Sequence, residues 1–262
     1  MTTLTNDGVL VLARQLGVQT LPLVLAVSPQ QDSHSDLTLA HERARVDLIA
    51  QRVIDPNGDV EPDIADAMFT LAQPDRELAM RIFGDDGSVR VCVARRGENH
   101  AVAVRRDGSL ELRSIWTDGS GESLARPLIE ALGPSEAASV VNFSALSVDL
   151  GERFDTAITS EDYASAVYSF GVEDTQATAY GLALASCHAY AEVVAYAYSD
   201  GATDRSPGAA VVYDTGRGRI VVAPGVAPDQ QVWSTLSPGT DHRFAQAISG
   251  LIDRLPGGRW LS

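Results

Sequence analysis

Cysteine and histidine side chains are the first residues in this sequence that could hold a metal ion or act in catalysis. Cys92 and His100 lie on neighbouring strands of one predicted hairpin, and Cys187 is followed directly by His188. Neither pair has the CxxC or HxxxH spacing that zinc sites use. A free cysteine that alternates with valines is typical of a small core residue. We therefore predict no metal site and no bound cofactor.

Paired carboxylates are the second group with possible chemistry, since general acid and base catalysis often uses two of them. The pairs are Asp85-Asp86, Glu161-Asp162 and Glu173-Asp174. Aspartate is favoured in tight turns and carboxylates are stabilised at helix N-termini, so each pair has a structural explanation. The sequence also lacks the G-x-S-x-G motif of a serine nucleophile. We therefore predict that the protein is not an enzyme.

Two alternatives remain open at this point. A small-molecule-binding protein or hydrolase would need a concave polar pocket that brings together two or more members of one set. That set is Asp85, Asp86, Cys92, His100 and His188. An adaptor that dimerises through its sheet edge is the other alternative.

The charge composition excludes several classes of function. The chain has 262 residues with 20 Lys+Arg, all of them arginine, against 35 Asp+Glu, which gives a net charge of -15. Phosphate-binding loops and Schiff-base chemistry need a lysine that this sequence does not contain. Strong acidity also opposes binding to nucleic acid and to anionic membranes. Only two cysteines and no apolar leader segment are present, so we expect a cytoplasmic protein.

Hydrophobic spacing predicts helices and strands that are segregated in runs, which favours an α+β fold with an antiparallel sheet. A two-residue period over 77–116, with turns at Asp-Gly and Gly-Glu-Asn, indicates a meander of hairpins. A buried strand is predicted over Leu21 to Val27. The predicted helices are 6–16, 37–54, 63–71, 124–132, 162–170, 175–188 and 242–255, and the remaining strands are 140–148, 190–198 and the hairpin 209–222.

Similar text occurs in the two halves of the chain. The helix end Leu128 to Leu132 matches Leu251 to Leu255, and each follows a hairpin and a tryptophan. We therefore expect one domain over 1–262 made of two similar halves, 1–134 and 135–262, in a pseudo-two-fold arrangement.

Apolar stripes mark two helices of the second half. Tyr163, Val167 and Phe170 are spaced at i, i+4 and i+7, as is the second set of Phe244, Ile248 and Leu251. Such stripes either pack in the core or line a groove that accepts a partner's apolar helix.

The chain resembles the EspG family of actinobacterial type VII secretion systems, most densely toward its C-terminus. The segments that carry the resemblance are Val211–Pro224, Trp233–Thr240, Arg243 with Ala247-Ile248, Leu255–Trp260, and in the first half Leu21-Pro22, His41–Arg43, Leu71–Pro74 and Ala94–Gly97. The match extends over nearly the whole chain.

The resemblance implies a cytosolic chaperone that binds PE–PPE heterodimers before export. It also implies a single α+β domain of two similar halves, on which the apolar tip of the PPE protein docks against the sheet and a C-terminal helical bundle. A loop after the second strand contributes in relatives, and here it is Gly84–Ser88. We therefore predict that partner binding involves Asp85, Asp86 and Gly87, together with Tyr163, Val167 and Phe170.

Overall fold

The computed structural model describes residues 2–85, 87–199 and 201–261. Within these residues the chain forms eight α-helices and eleven β-strands. The helices are α1 (Asn6–Gln15), α2 (His34–Ala50), α3 (Pro62–Ala72), α4 (Gly121–Leu132), α5 (Ser147–Thr156), α6 (Ser160–Ser169), α7 (Asp174–Leu184) and α8 (Asp241–Ile252). No helix in this part of the chain is both long and apolar enough to span a membrane.

The strands follow the α+β class that the sequence predicts, with runs of helix and runs of strand. They are β1 (Thr2–Thr5), β2 (Arg76–Gly84), β3 (Gly87–Arg96), β4 (Asn99–Arg106), β5 (Ser109–Ile115), β6 (Phe143–Leu146), β7 (Cys187–Ser199), β8 (Ala202–Arg205), β9 (Ala210–Thr215), β10 (Gly218–Val226) and β11 (Val232–Pro238). The chain divides into two compact units, the first comprising Met1–Ala79, Ser88–Thr117 and Tyr198–Ala202. The second comprises Met80–Gly87, Asp118–Ala197 and Thr203–Ser262, so β2 contributes to both units.

In the first unit the strands lie in the order β1-β5-β4-β3-β2. The β3/β4 and β4/β5 pairs are antiparallel hairpins, with Val91 opposite Val104 and Val102 opposite Arg113. Helix α3 packs on β4 and β5, and α1 packs on α2. Four consecutive β3 residues, from Val91 to Ala94, are fully buried, so this strand is covered on both faces.

The strand predicted over Leu21 to Val27 is wrong, because this segment forms a short 3-10 turn at Leu23–Leu25. Pro22 has no N–H for a sheet ladder, and Ala26 has a left-handed backbone with φ 46° that ends the turn. The guanidinium of Arg90 donates to the Val24 carbonyl at 3.2 Å, which holds the turn against β3. Arginine side chains thus satisfy carbonyls that a strand would have paired with a neighbour.

In the second unit the order is β2-β7-β9-β10-β11-β6, and β8 pairs with β7. The core lies under helices α5 to α7 and includes Val167, Tyr180 and Leu236. The fully buried Tyr180 donates its hydroxyl to the Val141 carbonyl at 2.6 Å, which satisfies its one polar group. Helix α8 packs on α4 and β10.

The order of elements repeats along the chain. One strand, three helices, four strands and one helix run from β1 to α4, and the same order runs from β6 to α8 with β8 as the one addition. Helix α4 belongs to the second compact unit, although the predicted first half contains it. The pseudo-two-fold arrangement and the halves 1–134 and 135–262 stay predictions.

A buried carboxyl group lies in the first unit. Glu77 on β2 is 3% exposed and accepts a hydrogen bond from the Tyr198 hydroxyl at 2.8 Å. Burial raises the pKa of Glu77 above its ordinary value of 4.5, while hydrogen bonds from Tyr198 and the Cys92 thiol oppose that rise. The protonated carboxyl is therefore favoured by folding, and ionisation at higher pH works against the folded state.

Glu77→Gln should remove the loss of stability that ionisation of this carboxyl causes as the pH rises. A carboxyl whose pKa is raised in the folded state stabilises fully below its unfolded pKa, and this contribution is lost as the pH rises through the folded pKa. The glutamine keeps an oxygen for Tyr198 and carries no charge. We expect the urea midpoint of the variant, minus that of the parent, to increase from acidic to neutral pH. A midpoint difference that stays constant with pH would contradict the assignment.

Helices α6 and α7 approach closely at a glycine. A Cβ atom at Gly181 on α7 would lie 2.2 Å from the Ser160 carbonyl oxygen and 2.8 Å from the Ala164 Cβ. Both distances are shorter than van der Waals contact, and the Ser160 oxygen is a backbone atom that cannot rotate away. The packing of these two helices therefore requires glycine at this position.

Gly181→Ala should lower the free energy of unfolding by about 1–3 kcal/mol, because the added methyl forces α6 and α7 apart. The matched control is Gly151→Ala in the interior of α5, where an added Cβ meets no atom within 4 Å. There we expect a gain of about 0.4–1 kcal/mol, because alanine restricts the unfolded chain. Urea denaturation of both variants measures the contrast, and equal effects would mean that the α6/α7 approach is not constrained.

Candidate functional site

The cysteine and histidine residues with possible catalytic chemistry are separated. Cys92 is fully buried opposite Ala103, whereas His100 pairs with Arg95 further along the same ladder. Burial, and next the charge of Arg95, lower the pKa of His100. Burial also raises the pKa of the Cys92 thiol well above its ordinary value, which disfavours the reactive thiolate.

The second Cys/His pair lies on a strand. Cys187 and His188 were predicted at the end of a helix, but α7 ends at Leu184 and these residues begin β7. The Cys187 thiol donates to the Ala189 carbonyl at 3.2 Å across a local irregularity in the β7/β9 register. In the described ranges, no group of three or more His, Cys, Asp or Glu side chains could hold a metal ion. These observations give no support to the hydrolase alternative.

The antiparallel helices α6 and α7 of the second unit pack closely and leave a cavity between them at the surface. A capping box begins α6: the Asp162 amide donates to Thr159 Oγ1 at 3.2 Å, and the Thr159 amide donates to Asp162 Oδ2 at 2.8 Å. These hydrogen bonds hold the pKa of the Asp162 carboxyl below its usual value. The chain then reverses at Gly171, whose φ of 87° requires a residue without a side chain.

A surface cavity of about 410 Å³ lies between these helices. Its lining includes Glu161, Ala164 and Tyr168 from α6, and Asp174, Thr178 and Leu182 from α7. Tyr168 is 59% exposed and Leu182 is 38% exposed, so two large side chains contribute apolar surface to the same cavity. We refer to this cavity and its rim as the α6/α7 groove. It offers an apolar surface edged by two carboxylates.

The predicted stripe on α6 lies on the opposite face of that helix. Val167 is fully buried, and Tyr163 and Phe170 pack against the same core. The ring of Phe170 stacks on Phe143 with centroids 6.2 Å apart, and Tyr163 meets Phe154 edge to face at 5.6 Å. These side chains therefore stabilise α6 from beneath, and the Val167 side chain offers no surface to a partner.

The predicted loop residues lie at a hairpin tip. Asp85 is exposed directly after β2, and the exposed Gly87 begins β3 with a φ of 114° that favours glycine. Asp86 lies outside the described residues. Next to the tip, within the second unit, Phe83 near the end of β2 stacks on Tyr190 with ring centroids 4.9 Å apart. The tip is thus a polar turn on an aromatic support.

The residues that line the groove are absent from the predicted site because the sequence signal selects the core-facing side of α6. Glu161, Ala164, Ser165 and Tyr168 follow helical spacing, but only the last of them is large and apolar. Leu182 lies on another helix and joins the surface only because the two helices pack closely. In the sequence, the groove is indicated only by Tyr168, a large side chain on an otherwise small or polar face of α6.

Comparisons with known proteins agree with this architecture. A family model described as the EspG family matches residues 5–250. The ESX-1 secretion-associated protein EspG1 of Mycobacterium tuberculosis is 32% identical over 272 residues, which cover 98% of this chain and 88% of that protein. The ESX-3 secretion-associated protein EspG3 of Mycolicibacterium smegmatis is 29% identical over 259 residues, with coverage of 98% and 88%.

A solved structure shares the fold. The chain superposes with a TM-score of 0.82 on the Mycobacterium tuberculosis type VII secretion system chaperone EspG5, which was solved in complex with a PE25-PPE41 dimer. Sequence identity between the two is 19%, and the match covers 99% of this chain and 98% of that one. Because the family model and the relatives extend over nearly the whole sequence, this chain belongs to the EspG family.

Proposed function

We propose that this chain is a cytosolic chaperone of a type VII secretion system and that it binds a PE–PPE heterodimer. The observation that carries the proposal is the α6/α7 groove, with Tyr168 and Leu182 exposed at its rim. The structural relative EspG5 was solved with a PE25-PPE41 dimer, which supplies the class of partner. The chain is proposed to keep such a pair soluble and to direct it to export.

The groove is suited to an apolar projection. Small side chains such as Ala164 and Ala177 line its floor, while Tyr168 and Leu182 stand at the edges. An apolar tip of the PPE protein would cover both large side chains and remove them from water, at about 25 cal/mol per Å² of apolar surface. Exposed tyrosine is a frequent anchor in interfaces because its large ring loses little conformational freedom on binding.

The predicted stripe and loop residues have separate roles in this proposal. Tyr163, Val167 and Phe170 set the position of α6 from the core side, so we propose that they support the groove without touching the partner. The exposed hairpin tip at Asp85 and Gly87, with Asp86 between them, is proposed as a second contact.

The net charge of -15 supports the same function. A carrier that exposes an apolar groove risks associating with other copies of itself. Strong like charge makes the free copies repel one another and keeps them soluble until the partner binds.

Tyr168→Asp should abolish capture of the partner without unfolding the chaperone. A charge in the groove would be desolvated by an apolar tip, so we expect retention to fall by about tenfold or more, as for interface anchors. The side chain is 59% exposed, so the free energy of unfolding should change by no more than about 0.5 kcal/mol. The measurement is co-expression with PE–PPE pairs from the same genome, followed by affinity pull-down and a thermal melt.

Two further variants make this result interpretable. Trp116→Asp changes an even more exposed aromatic residue, 85% exposed in the first unit, and should leave retention unchanged. Val167→Asp places a charge in the core and should unfold the protein. Full retention by a folded Tyr168→Asp variant would exclude the groove, and failure of the unmodified chain to retain any pair would contradict the function itself.

A further inference from the structure

A second groove lies in the first unit, between α1 and α2, on residues that the proposed function does not use. It has a volume of about 440 Å³. Val11 and Arg14 from α1 line it, together with His34, Leu37, His41 and Arg45 from α2. We refer to it as the α1/α2 groove. Both helices belong to the first unit.

The α1/α2 groove carries positive charge in a strongly acidic protein. Arg14 and Arg45 line it together with one carboxylate, Glu42. Neither arginine forms an ion pair with a carboxylate among the residues that the structure describes. Arg45 reaches only the Gln15 side chain, at 3.4 Å. The formal charges that line the groove are therefore net positive, whereas the chain as a whole carries a net charge of -15. Two guanidinium groups that face a shared cavity favour a ligand with carboxylates.

One nitrogen of a half-buried histidine in the same groove also lacks a partner among the described residues. The Nε2 atom of His41 is buried and has no hydrogen-bond partner within the described part of the chain. Buried polar atoms are paired in most native structures, so an unpaired one next to a cavity indicates a group that a ligand can satisfy. Val11 and Leu37 supply the apolar part of the same wall.

Helix α2 has few contacts of its own. Of its 17 residues only Ala44 and Leu48 are buried, while Leu39, Val46 and Ile49 are 45%, 66% and 39% exposed. Val46 and Ile49 follow the groove residue Glu42 at i+4 and i+7, so apolar surface continues from the rim of the groove. A ligand that extends beyond the arginines would therefore meet apolar side chains.

The dimensions favour a polypeptide over a small ion. The lined part of α2 runs from His34 to Arg45, which is about 16 Å at 1.5 Å per residue. One carboxylate or phosphate group spans only a fraction of this length. We propose that the α1/α2 groove binds an acidic amphipathic segment of a partner polypeptide. Its carboxylates pair with Arg14 and Arg45, and its apolar side chains cover Val11, Leu37 and the rim.

Fluorescence anisotropy with a labelled synthetic helix tests the proposal. The probe has about four helical turns, with glutamates on one face and leucines on the other, and a matched probe has lysine in place of each glutamate. We expect the full-length protein to bind the glutamate probe, to bind the lysine probe at least about tenfold more weakly, and to lose affinity as salt is raised.

Charge reversal on the protein locates the site. The double variant Arg14→Glu/Arg45→Glu should weaken binding of the glutamate probe by about tenfold or more. Arg43→Glu is the matched control, because Arg43 is exposed on α2 but does not line the groove. Circular dichroism melts confirm that all variants fold.

Three results would overturn the proposal. They are no binding of the glutamate probe, an equal loss in the Arg43→Glu variant, and complete displacement of the probe by citrate at a citrate affinity equal to its own. The last result would identify a small-anion site. None of these outcomes bears on retention of PE–PPE pairs, which is measured separately on the α6/α7 groove.

Discussion

Arg219 on β10, which forms a buried ion pair with Asp214, holds several segments of the second unit to the sheet. The guanidinium donates to both carboxylate oxygens, from Nε at 2.7 Å and from Nη2 at 2.9 Å, and Nη2 also reaches the Gly133 carbonyl at 3.1 Å. The Arg219 backbone oxygen accepts from the Ala138 and Gly239 amides. Both charged residues are buried, so removal of one would leave the other unpaired in the core, at a cost of about 3–5 kcal/mol. Arg219 thus attaches two connections to β10: the one after α4 through both its guanidinium and its backbone oxygen, and the one before α8 through its backbone oxygen.

Attachment of the connection after α4 has consequences for the groove. A parallel bridge between Ala137 and Arg219 guides the chain toward β6, which then pairs with β11. Helices α5 to α7 fill the stretch between β6 and β7, so both ends of this stretch are fixed by strands of the sheet. With the ends fixed, the separation of α6 and α7 depends on the small residues between them, Gly181 and Ala164. The groove therefore depends on the backbone geometry and on small residues where the helices meet, as well as on the side chains that line it.

The sequence predicted elements well where local periodicity matches burial, and poorly where contacts from distant residues decide. The hairpins of β3 to β5 follow from a two-residue period and from turn residues. The error at Leu21 to Val27 arose because arginines far along the chain take the carbonyls of that segment. On α6 the largest apolar residues identified the core face, as burial favours. The exposure of Tyr168 beside α7 depends on how the two helices pack, which no spacing rule reports.

The two proposed surfaces differ in the charged residues that line them, and therefore in the partners that each one disfavours. The α6/α7 groove is edged by Glu161 and Asp174. In the α1/α2 groove two arginines, Arg14 and Arg45, outnumber the one lining carboxylate, Glu42. An acidic segment is repelled by the first and attracted by the second, since like charges at an interface are costly to bring together. The same acidity means that two copies of the chain facing each other through their α6/α7 grooves would bring four carboxylates together. Apolar surface in that groove is therefore protected from self-association by its own rim, while a partner with a neutral apolar tip meets no such barrier.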